Sequence, residues 1–174
     1  MKKILLAIAT LSMMISFAAC TATPESSSGE ESSQAETQIN LEGEIPDFFQ
    51  EIIENADIAD DYKTMLTNST GTMEITSDFM LMTLGSEDYE FVEGYFCEPM
   101  MSSQAFSMIM LRAEDAEKAK TLAEEVVTTV DPRKWVCVEV DPSDVVATTI
   151  GDMMFLIMAE DSEKFIEAFE ALGE

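Results

Sequence analysis

The chain has 174 residues, room for one domain beside a targeting segment. It carries 35 acidic against 9 basic residues, a formal charge of −26, and no histidine. That charge argues against nucleic acid as a partner, because phosphate neutralisation needs clustered Lys and Arg. The missing histidine excludes Ser-His-Asp, Cys-His and His-zinc chemistry within the chain, leaving carboxylate, lysine or backbone catalysis open.

Met1-Lys2-Lys3 opens the chain as a short basic region, and Ile4 to Phe17 is apolar apart from Thr10, Ser12 and Ser16. The run falls short of the ~20 apolar residues that span a bilayer and has the proportions of a signal peptide over residues 1–19. Phe17-Ala18-Ala19-Cys20 resembles the lipobox of bacterial lipoproteins, with Phe17 where leucine is most usual. In those proteins the cysteine receives diacylglycerol and becomes the new N-terminus. The resemblance implies lipidation at Cys20, acyl chains such as palmitate, and a place on the extracytoplasmic face of the cell membrane. At ~0.8 kcal/mol per buried methylene, two acyl chains give on the order of 20 kcal/mol of gross burial, enough for a stable anchor. An ordinary cleaved signal peptide with an incidental cysteine is the alternative. Residues 20–44 then read as the lipidated cysteine and a flexible acidic linker, rich in Ser, Thr, Glu and Gln, with Ile39 and Leu41 its strong apolar residues.

Residues 45–174 read as a single folded domain. Pro46 marks a helix start, and Phe48, Phe49, Ile52, Ile53 and Ala56 share one helical face. A second helix is expected over Ile58–Leu66, then a turn-rich stretch over Asn68–Thr76, then a short helix over Ser77–Leu84 ended by Gly85. Tyr89–Cys97 and Ala105–Leu111 read as strands. In the latter, Phe106, Met108 and Met110 alternate with Ser107, Ile109 and Leu111. Glu114–Val130 has the three-four spacing of an amphipathic helix, stopped by Asp131-Pro132. Trp135–Val140 is expected to be a short extended segment. Asp144–Ile150 and Met153–Ala159 form a hairpin about Gly151-Asp152, and Asp161 or Ser162 caps a last helix that buries Phe165, Ile166, Phe169 and Leu172. The expected fold is α+β: an antiparallel sheet of about four strands with helices packed on one face.

This order of elements, with the segments AFSMIMLRAEDAEKAKTLAEEVV and VVATTIGDMMFLIMAEDSEKFIEAFEAL, resembles a lipoprotein family of Gram-positive anaerobes, domain of unknown function 4358. The resemblance runs from about Ile45 to Leu172 and rests on hydrophobic pattern. It implies a lipobox-bearing envelope protein, and it carries no activity, cofactor or catalytic residue.

Several constellations compete with plainer readings. Cys97 and Cys137 are the cysteines left in the domain; export permits a disulfide between them, and two buried free thiols are the preferred reading. Cys97, Met100, Met101, Met108 and Met110 include soft ligands of the kind that suit copper(I), yet methionine fills cores equally well, and no metal or cofactor is expected. Asp141 to Asp144 and Glu160 to Glu163 offer oxygen ligands but lack the alternation and glycine of a calcium loop, so capping and turns explain them better. Arg133, Lys134 and Trp135 form a basic-aromatic spot suited to partner contact, against a buried tryptophan flanked by paired cations. The expected function is a lipid-anchored binding or scaffolding module at the cell envelope, not an enzyme, meeting an envelope protein or ligand. Alternatives are a substrate-binding accessory of a transporter or cell-wall system, and a carboxylate-based enzyme.

Overall fold

The computed structural model describes residues 39–174, Ser102 excepted. Cys20, the signal peptide and linker residues 20–38 lie outside them. Among the described residues no helix is long and apolar enough to cross a membrane.

Helices α1 (Ile45–Asn55) and α2 (Asp60–Ser69) lead into strand β1 (Thr70–Glu74), then α3 (Ser77–Leu84), β2 (Glu93–Pro99), β3 (Ser107–Arg112), α4 (Ala116–Thr129), β4 (Val145–Ile150), β5 (Met153–Met158) and α5 (Ser162–Glu170). The strands form one sheet in the order β1-β2-β3-β5-β4, every neighbouring pair antiparallel. The α+β class holds, with a fifth strand. β1 escapes a sequence reading because Thr-Gly-Thr-Met-Glu has little strand character, and because α2 passes into it without a loop. The hydroxyls of Thr67, Ser69 and Thr70 donate back to carbonyls four residues earlier, so the polar end of α2 looks like a turn in sequence.

Helices cover both faces of the sheet, where one covered face was expected. The reason lies in the two central strands. β5 is buried at all six positions and β3 at five of its six, so each strand needs apolar cover on both sides. Met108, Met110, Met153, Phe155 and Ile157 meet α1, α2 and α5 on one face. Ile109, Leu111, Met154, Leu156 and Met158 meet α3 and α4 on the other. Phe155 stacks on Phe169 at 4.8 Å between ring centroids, and Phe106 meets Phe165 edge-on at 5.5 Å, which seats α5.

Trp135–Val140 is a closed loop, not a strand. Cys137 sits at φ +65°, which breaks an extended run. The Val140 amide donates to the Pro132 carbonyl at 3.0 Å and draws the loop back on itself. At the domain's start, Leu41 is buried, so residues 40–44 of the expected linker belong to the domain.

Candidate functional site

The register of the sheet separates two poles. At one end lie Ser107, Val145 and Met158, side by side across β3, β4 and β5; at the other lie Arg112, Ile150 and Met153. The five rises of ~3.4 Å between the first and last residue of each strand put the poles roughly 17 Å apart. The incoming chain docks at the second pole. Arg112 donates from Nη1 to the Leu41 carbonyl and from Nη2 to the Gly43 carbonyl, both at 3.0 Å. Asn40 Oδ1 accepts from the Asp152 amide at 3.3 Å. Gly151, at φ +54°, leaves room for this approach: a Cβ there would lie 2.2 Å from Asn40 Oδ1.

The first pole carries a cleft of about 640 Å³. Tyr62 and Met65 reach it from α2, Phe106 from the approach to β3, and Val138 and Val140 from the loop before β4. Phe106 and Val140 are buried, giving the cleft an apolar floor. Every charged side chain that lines it is acidic: Glu139, Asp141, Asp144, Glu160 and Asp161. The hairpin brings these together, because Asp144 precedes β4 and Glu160 follows β5 at the same end of the sheet. The two acidic turns read separately in the sequence thus line one cleft. Among the described residues no group of three Cys, Asp or Glu side chains is placed to hold a metal ion.

Burial, then the charges of Glu160 and Asp161, push the Tyr62 phenol up to about 12. It therefore stays a protonated hydroxyl at neutral pH. The Ser143 hydroxyl and amide hold Asp141 below the usual carboxylate range. A general acid needs the opposite direction.

Lys134 holds one wall of the cleft in place. Its ammonium pairs with Glu98 at the end of β2, and Ser107 Oγ donates to the same Glu98 oxygen at 2.8 Å. Trp135 is buried against the α3 and α4 layer, with the Lys134 ammonium 5.4 Å from its ring centroid. Its indole Nε1 has no partner among the described residues. Arg133 alone of the three is exposed, and it pairs with Glu139 at 3.2 Å. The trio thus takes the plainer form, a buried tryptophan flanked by paired cations, and none of the three lines the cleft itself.

Cys97 and Cys137 are both free thiols. Cys97 is buried on the α1 and α5 face, while the loop bearing Cys137 packs Trp135 and Val140 on the opposite face. The preferred free-thiol reading holds for both, but Cys137 is exposed where two buried thiols were expected. Met108 and Met110 fill the core, whereas Met100 and Met101 are exposed.

Sequence reasoning missed Tyr62, Phe106 and Val140 as cleft residues. Tyr62 lies on an expected helix and Phe106 within the expected strand Ala105–Leu111, but nothing local says that α2 reaches the Ser107 end of the sheet. No family model matches the chain, and no curated protein or solved structure matches it.

Proposed function

We propose that this protein is a lipid-anchored binding module of the cell envelope, tethered through Cys20 and presenting its acidic cleft away from the membrane. The observation that carries this reading is polar separation: the chain arriving from the lipobox side docks at the Arg112 pole, and the cleft opens at the Ser107 pole. A domain hung from one pole offers the other to the surroundings. The charge of −26 adds repulsion from anionic lipid.

The ligand that suits the cleft is a cation with an apolar stem, such as an aliphatic polyamine. Its ammonium groups would meet the Glu160, Asp161 and Asp144 side, and its methylenes the Phe106 and Val140 floor. The volume lies within the ~300–1,000 Å³ of small-ligand sites. That favours capture of a small ligand, as in a substrate-binding accessory, over contact across a flat scaffold. Fractionation of cells expressing Cys20→Ser tests the anchor. The variant is expected in the soluble extracytoplasmic fraction, and its retention in membranes through an uncleaved N-terminal segment would overturn lipid anchoring.

A further inference from the structure

We infer that a second copy of this chain pairs with β4, joining two sheets across a two-fold axis normal to them. β4 is an edge strand, and its sequence Val-Val-Ala-Thr-Thr-Ile carries no charge, proline or glycine. Edges left open are ordinarily blunted by such residues, and a chain with 35 acidic residues has spent none here.

The direction of the β4 main chain follows from the ladder. The Ala113 amide donates to the Asp152 carbonyl at 2.8 Å, next to the Arg112 and Met153 pair. Alternation then turns the main-chain groups of Met154, Leu156 and Met158 toward β3, and those of Met153, Phe155 and Ile157 toward β4. Their partners Ile150, Thr148 and Val146 are used inward. Ala147 and Thr149 therefore point amides and carbonyls outward, and no hydrogen bond from the described residues reaches them.

Beside this edge, α4 and β4 bound a groove of about 430 Å³. Its helical wall is the stripe Lys120, Ala123, Glu124 and Val127. Lys120 alone among the described basic side chains makes neither an ion pair nor a hydrogen bond. A two-fold axis normal to the sheet runs the two α4 helices antiparallel, which sets Lys120 of each copy toward Glu124 of the other. Charge complementarity thus selects a second copy despite the net repulsion. Directly opposed residues of an antiparallel pair share a face, so the axis passes between a residue and its own copy, at the level of Ala147 or of Thr148, and no Ala147 opposes a Thr148.

Sedimentation equilibrium of the full chain in density-matched detergent, at physiological ionic strength, tests the pairing. The expected protein mass is twice that of one processed chain. Thr149→Pro removes an outward amide that an edge strand can spare and is expected to give monomer with the far-UV spectrum unchanged. Glu124→Lys, on the exposed face of α4, is expected to weaken dimerisation by about tenfold. The exchange Lys120→Glu with Glu124→Lys is expected to restore it. A wild-type chain that stays monomeric at every concentration would overturn the inference. So would a dimer that survives both Thr149→Pro and Glu124→Lys, or a Glu124→Lys loss that the exchange does not recover.

Discussion

Arg112 Nε donates to Glu93 Oε1 at 2.7 Å, and this ion pair fixes the guanidinium that holds the carbonyls of Leu41 and Gly43. Asp152 lies 3.6 Å from the same group. One side chain from the end of β3 thereby fastens the incoming chain to the sheet, and its position defines the pole at which residues 40–44 dock.

Arg112→Met should undo that fastening. It strands Glu93 and frees two carbonyls at a site where Arg112 is 16% exposed, so a loss of about 3 kcal/mol is expected in urea unfolding. Limited proteolysis should also begin at residues 40–44 in the variant, well before the core is cut. Equal stability and an unchanged cleavage pattern would show that the docking contributes nothing.

Glu98→Gln should loosen the cleft wall. Lys134, at 12% side-chain exposure, would lose its carboxylate and share with Ser107 a neutral amide oxygen in its place, for a cost of about 2 kcal/mol. The chain has a single tryptophan, Trp135, next to this pair. Its emission should shift to the red as the loop opens, which a fluorescence spectrum of the folded variant checks directly.

Tyr62 gives a pH signature. Its phenol ionises at an ordinary value of 10.0 in the unfolded chain and at about 12 in the folded one. This group's share of stability is complete below pH 10 and is lost as pH rises toward 12, because the unfolded state releases the proton first. Stability of the wild type should therefore fall more steeply over that window than stability of Tyr62→Phe. In absorbance at the phenolate band, the variant should lack one late-ionising tyrosine.

The thiols should differ in reach. Burial raises Cys97, and its side chain lies inside the α1 and α5 face, while Cys137 is exposed. An aqueous thiol reagent is expected to label Cys137 in the folded protein and Cys97 only after unfolding, read residue by residue by mass spectrometry. A disulfide-linked peptide pair would contradict the fold of the Trp135–Val140 loop.

Periodicity carried most of this architecture. The stripe of α4, the alternation of β3 and the β4–β5 hairpin about Gly151 are all legible, because each is a local pattern with its own stop signal. The faces were harder. MMFLIM is apolar throughout, and a strand buried on both sides shows no alternation to say so. β1 was lost to its Thr and Gly content, and the loop over Trp135–Val140 imitated a strand because the φ of Cys137 leaves no mark in sequence. The acidic turns at Asp141–Asp144 and Glu160–Glu163 were visible one by one. Their meeting follows from the hairpin register, but the Tyr62 and Phe106 side of the cleft depends on how α2 crosses the sheet end, a tertiary fact.

The central claim is that the acidic pole binds cations bearing an apolar stem. Isothermal titration calorimetry of the wild-type chain with spermidine tests it most directly, beside a Glu160→Gln, Asp161→Asn double variant that keeps the cleft's shape. A saturable one-to-one isotherm, weakened at least about tenfold in the double variant, is the expected result, since both removed charges lie beside the Tyr62 hydroxyl. No saturable heat with the wild type, or equal affinity in both proteins, would contradict it.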